Sequence, residues 1–161
     1  EMGPIVTRQS LDKILGYVQR GVEEGAELVV DGRGLQVPGH ENGFFLGGCL
    51  FDRVTPRMKI YQEEIFGPVL SVVRAASYEE ALRLANATPY GLSGSIWTRD
   101  IGKALRSAKA LQAGVISVNS NSSVHTEAPF GGYKMSGIGR ELGMHAIEMY
   151  TETKNVFVDL G

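Results

Sequence analysis

The stretch Glu63-Glu64-Ile65-Phe66-Gly67-Pro68-Val69 combines groups suited to holding a ligand. A carboxylate there can accept hydrogen bonds from a pair of ligand hydroxyls, and the aromatic two residues on can pack a flat ring. Glu63 and Glu64 make a poor acid/base pair, because neighbours in extended chain point to opposite sides. On these seven residues alone, a solvated Glu pair and a core Phe is the favoured reading. Other reactive side chains are isolated. His40, His125 and His145 have no second ligand at metal spacing. Cys49 sits in Gly47-Gly48-Cys49-Leu50-Phe51 with no base nearby and reads as a buried structural thiol. Ser120, Ser122 and Ser123 lack the strained elbow of a serine hydrolase. Gly137-Ile138-Gly139-Arg140-Glu141-Leu142-Gly143 has the wrong last gap for a dinucleotide loop and no strand before it, so it reads as a turn entering a helix. These residues form no self-sufficient catalytic constellation.

The elements that position these groups follow from periodicity. Leu11, Ile14, Leu15, Val18 and Val22 predict a helix stopped by Gly25, and Leu28-Val29-Val30 a short strand. Residues 34–43 are turn-rich. Phe44-Phe45-Leu46 and Cys49-Leu50-Phe51 read as extended chain crossing the surface of a sheet. A strand over 69–74 enters a helix through Ser77-Tyr78-Glu79-Glu80, a capping-box pattern, and Pro89-Tyr90-Gly91 ends that helix. A strand over 94–97 precedes a helix with Asp100 as N-cap and a stripe of Ile101, Ala104, Leu105, Ala108 and Leu111. Val115-Ile116-Ser117-Val118 is the next strand, followed by polar residues 119–123 at its carboxyl end, where open α/β sheets bind ligands. This alternation predicts an α/β fold with a mostly parallel sheet. Residues 139–150 read as a last helix, and 153–160 alternate as an edge strand would.

At 161 residues with a net charge of −2, the chain is about one domain with no draw to nucleic acid or an anionic membrane. No apolar run approaches membrane-spanning length, and no signal-peptide pattern precedes the first helix. The single cysteine excludes an internal disulfide and fits a reducing, cytoplasmic compartment. The opening Glu1-Met2-Gly3-Pro4 fits a processed start or an excised piece.

Together, Glu63–Val69 (EEIFGPV), residues 89–92 with Trp97-Thr98-Arg99-Asp100, residues 113–119 (AGVISVN) and residues 129–137 (PFGGYKMSG) followed by Gly139-Arg140-Glu141-Leu142-Gly143 resemble the C-terminal part of the aldehyde dehydrogenase superfamily. The resemblance implies a three-layer α/β/α fold with a Rossmann-like sheet and a C-terminal edge strand. It implies oxidation of a small-molecule aldehyde to an acid with NAD or NADP, through a cysteine thiohemiacetal. Glu64 matches the carboxylate that holds the nicotinamide ribose hydroxyls, and Phe66 the aromatic packed beside that ribose and ring. Residues 119–124 match the loop lining the aldehyde tunnel, with Ser120, Ser122 and Val124 facing substrate and Phe130 at the inner end. That lining is small and mildly polar.

The family's nucleophilic cysteine, general-base glutamate, oxyanion asparagine and nucleotide loop lie upstream of the matching stretch, and Cys49 is not at the nucleophile's position. The expectation is therefore that residues 1–150 are the C-terminal portion of a catalytic domain, inactive alone. Residues 151–161 are then a terminal strand of the oligomerisation type, in a homo-oligomer (dimer or tetramer). Residues 40–73 resemble CoA-acylating semialdehyde dehydrogenases, whereas the tail from Pro129 resembles the hydrolytic betaine-aldehyde and aminoaldehyde group, which is the reading preferred. The rival classes are a non-catalytic fold fragment or interaction module, and a free-standing nucleotide-binding domain, the latter disfavoured because no phosphate loop is present.

Overall fold

The first helix, α1 (Arg8–Glu23), begins where Thr7 caps it, its hydroxyl accepting from Ser10 N–H at 3.0 Å. It ends at Gly25 in the left-handed region (φ 90°), with Gly25 N–H bonded to Val22 O and Ala26 N–H to Gly21 O. That pair of bonds satisfies the last carbonyls. Leu11, Ile14 and Val18 are buried as their spacing predicts, but Val22 is exposed. Gly21 takes the buried position instead: a Cβ there would lie 2.8 Å from Cζ of Phe51, so only hydrogen lets the helix approach the sheet.

The computed structural model describes residues 2–122 and 124–161; Ser123 lies outside them. The chain divides into two units, Glu1–Leu84 and Ala85–Gly161. In the first, β1 (Glu27–Val30), β2 (Cys49–Asp52) and β3 (Val69–Ser71) form one sheet, β2 pairing antiparallel with β1 and parallel with β3. The expectation that 49–51 crosses the sheet's surface is thus corrected. β2 is the central strand, and Cys49 and Phe51 point into the core made with Leu11, Ile14, Val18, Leu46, Val54, Ile60 and Ile65. A short helix, α2 (Lys59–Gln62), packs Ile60 onto that core. α3 (Tyr78–Asn86) carries the expected capping box: Glu80 N–H donates to Ser77 Oγ at 3.1 Å, and the Glu80 carboxylate accepts from Ala76 N–H at 2.7 Å.

In the second unit, β4 (Tyr90–Gly91) pairs antiparallel with β7 (Tyr133–Lys134). Between them in sequence, β5 (Ser93–Ile96), α4 (Ile101–Ala110) and β6 (Val115–Val118) make a βαβ unit with parallel strands. Asp100 caps α4, accepting from Lys103 N–H at 2.9 Å, which holds its carboxyl below its usual range. The helix buries Ala104, while Ile101 and Leu105 of its apolar stripe are exposed. The fold class is α/β, as the alternation predicts. Among the described residues, β3 pairs with β2 in the first unit and β5 with β6 in the second.

Two late expectations change. A helix over 139–150 shrinks to a 3-10 helix at Met144–Tyr150, because Gly137, Gly139, Leu142 and Gly143 all have positive φ and cannot continue right-handed turns. Residues 151–161 are exposed and pair with no strand among the described residues. The alternation at 153–160 has nothing here to bond to, so it forms no ladder.

Candidate functional site

The acidic-aromatic stretch leaves α2 at Glu63, which turns back onto α1. Its carboxylate accepts from Lys59 Nζ at 2.7 Å and from Tyr17 Oη at 2.6 Å, and these bonds, that of Lys59 first, pull its pKa down. Ile65 is 8% exposed and belongs to the core. Gly67 lies so close to α1 that a Cβ would sit 2.7 Å from Cδ1 of Ile14. With Ile65 buried and Gly67 against Ile14, Phe66 between them is turned out. Glu64 is exposed and has no hydrogen-bond or ion-pair partner among the described residues. Phe66 is 82% exposed, which overturns the reading of it as a core residue. Its φ of 59° is strained for an aromatic. An exposed aromatic beside a free carboxylate can pack a flat ring and accept hydrogen bonds from hydroxyls.

The second unit carries the other residues expected at the site. At the end of β6, Asn119 adopts φ 52°, and its side-chain amide is bonded to both the N–H and the carbonyl of Thr98, just beyond β5. Asparagine tolerates this conformation better than most residues, and the clamp repays it. The chain then turns through Ser120 and Ser122, joined by Ser122 N–H donating to Ser120 Oγ at 3.0 Å. Two serines of the sheet reach this loop: Ser117 Oγ donates to Ser122 O at 2.9 Å, and Ser95 Oγ donates to Ser120 O. Ser122 and Val124 are exposed and Ser120 half-buried.

Phe130 is half-buried and exchanges both backbone hydrogen bonds with Glu141, at 2.7 and 2.8 Å. It lines a cavity of about 290 Å³ with Leu92, Ile138, Arg140, Met149 and Tyr150, whose walls do not include Ser120, Ser122 or Val124. Glycines at 91 and 114 permit backbone-to-backbone packing in this unit. A Cβ on Gly114 would lie 1.7 Å from Gly131 O, and one on Gly91 2.4 Å from Gln112 O. Arg140 closes the turn, donating from Nη1 to the carbonyls of Gly132 and Gly139.

The structure therefore brings Glu64 and Phe66 together in one unit, and Ser120 and Ser122 together in the other. Sequence reasoning did not single out Ser95, Ser117, Thr98 or Arg140; the only signal was an asparagine closing a strand, a residue type favoured at left-handed turns. No group of three or more His, Cys, Asp or Glu suited to a metal occurs among the described residues. Cys49 is 3% exposed, its sulfur accepting from Gly32 N–H, with no base against it.

Residues 1–156 match the sequence profile of the "Aldehyde dehydrogenase family". The chain belongs to the aldehyde dehydrogenase family. It is 50% identical to malonate-semialdehyde dehydrogenase of Pseudomonas aeruginosa over 97% of this chain and 32% of that protein. It is 44% identical to betaine aldehyde dehydrogenase of Bacillus subtilis, over 98% of this chain and 32% of the relative. The crystal structure of a Mycobacterium tuberculosis aldehyde dehydrogenase complexed with NAD+ superposes with a TM-score of 0.90 at 39% identity, over 100% of this chain and 33% of that one. The chain thus spans about a third of the length of the relatives it matches and shares their Rossmann-like α/β fold.

Proposed function

We propose that this chain supplies part of the cofactor and aldehyde surfaces of an NAD(P)-dependent aldehyde dehydrogenase that oxidises an aldehyde to its carboxylic acid, and that it is inactive by itself. The observation that carries the reading is the outward pair Glu64 and Phe66, which flank buried Ile65, with Gly67 packed against Ile14 just beyond. Glu64 accepts hydrogen bonds from the two ribose hydroxyls beside the nicotinamide, and Phe66 covers the ribose and ring edge. When bound, the nicotinamide takes the hydride from the aldehyde carbon. Ser120, Ser122, Val124 and Phe130 give the aldehyde a small, mildly polar wall. Inactivity of the chain alone is supported by Cys49, which is buried and without a base, so that no thiolate faces solvent here. Residues 1–150 are then the C-terminal part of a catalytic domain. Residues 151–161, exposed and without a ladder partner among the described residues, form the strand that pairs in a homo-oligomer. The hydrolytic course is preferred over CoA acylation because the stretch from Pro129 is the more diagnostic resemblance.

The test is calorimetric titration of NAD and NADP into the natural gene product that carries this stretch, beside its Glu64→Gln variant. Removing the carboxylate's charge should weaken binding roughly tenfold, the scale of one charge-assisted hydrogen bond. Unchanged affinity for both nucleotides would remove Glu64 from the cofactor site. The product formed with and without CoA decides between acid release and acylation.

A further inference from the structure

We propose that Ser95 and Ser117 are positioning residues that set the aldehyde specificity by fixing the loop after β6, an inference that rests on the function proposed above. The two serines are register partners on the parallel strands β5 and β6, so their side chains leave the same face of the pair side by side. From there each donates to the carbonyl of a different loop residue: Ser95 to Ser120, and Ser117 to Ser122. These acceptors flank the turn closed by Ser122 N–H on Ser120 Oγ. The Asn119 clamp fixes where the loop starts, and the two hydroxyls fix where its next residues lie. The loop therefore has three side-chain tethers to the sheet in four residues, 119–122. That is more than chain connection requires, since exposed Ser122 could hydrogen-bond water. Rigid presentation of a substrate wall decides how much space an aldehyde finds, and small displacements there weaken binding of well-fitted substrates most.

The choice of alanine for the test is favourable. Ser117 is 9% exposed, so Ser117→Ala replaces a buried hydroxyl by a methyl group, and its former acceptor lies on an exposed residue. Ser95 is exposed, and Ser95→Ala carries no packing cost. In the natural gene product, the double variant should raise KM for a short aldehyde about tenfold, the scale of a lost hydrogen bond or two, with kcat held within about twofold. A bulkier aldehyde should lose less, so the ratio of kcat/KM values moves toward it. NAD affinity should stay unchanged, because Glu64 and Phe66 are untouched. Ser117→Thr, which keeps the hydroxyl, should restore the ratio in the Ser117 single variant. Amide exchange at Ser122 should quicken in the alanine variants whether or not substrate is present.

Wild-type activity with an unchanged substrate ratio, or unchanged exchange at Ser122, would overturn the role of these serines and leave the proposed function standing. A wild-type product that oxidises no aldehyde would overturn both.

Discussion

The side-chain amide of Asn119 accepts a hydrogen bond from Thr98 N–H at 2.9 Å and donates one to Thr98 O at 2.9 Å, joining the carboxyl ends of two parallel strands. Asn119 also has φ 52°, so it answers two demands at once. Asn119→Gly keeps the backbone conformation and loses the clamp, whereas Asn119→Ala loses both. The alanine variant should be less stable than wild type by about 2–3 kcal/mol and the glycine variant by about 1 kcal/mol. Urea unfolding measures the difference, and equal midpoints for the two variants would mean that the left-handed turn carries no cost.

Phe66 sets stability against binding. Its ring is exposed and its φ positive, so Phe66→Asn loses little packing and relieves part of a strain of about 1–2 kcal/mol. The variant should melt a few degrees higher while binding NAD more weakly. Thermal melts and calorimetry on the same sample test both halves. A variant that gains stability and keeps its full affinity would contradict the role given to the ring.

Asp31 and Asp52 predict the acid limit of the first unit. The hydrogen bonds of Arg33 to Asp31 and of Arg74 to Asp52 are the largest causes that lower each carboxyl from 3.8 to about 2. Both groups bind protons more weakly folded than unfolded, so their contribution is complete above about pH 4 and is lost as pH falls toward 2. Both pairs lie at the surface, so salt should shrink the effect. Unfolding midpoints taken from pH 6 down to pH 2 should fall more steeply for wild type than for Asp52→Asn, and the gap should narrow in 1 M salt. Parallel curves at low salt would assign the acid sensitivity to other groups.

Gly114 should be intolerant of any side chain. A Cβ 1.7 Å from Gly131 O cannot be accommodated unless one backbone moves. Gly114→Ala should cost on the order of 3 kcal/mol or more, or leave the second unit without a cooperative transition. A wild-type melting temperature for that variant would show that the two segments separate freely.

What the sequence reveals is governed by the range of the interaction. The Ser77 to Glu80 box, the Asp100 cap and the Gly25 stop are contacts within a few residues, and each is legible from spacing. Burial is settled by distant partners. Phe66 faces out because Ile65 belongs to the core and Gly67 meets Ile14, some fifty residues away, and no local pattern encodes that. The same holds for the extent of the last helix, read over 139–150 but formed only over Met144–Tyr150. The turn before it is imposed by Phe130 bonding Glu141 and by Pro129 packed against Gly143. The identity of Glu64, Phe66 and Phe130 as site candidates is legible from resemblance. The serine tethers beneath the loop are not, because a serine in a strand looks like any other polar strand residue until its partner is known.

The thiol of Cys49 gives this chain a built-in stopwatch. It is the only sulfhydryl in the sequence, it lies on the central strand of the first sheet, and it is 3% exposed. A thiol reagent in excess can reach it only when that sheet opens, so the rate of labelling under native conditions reports how often the first unit unfolds and the rate at which it does so.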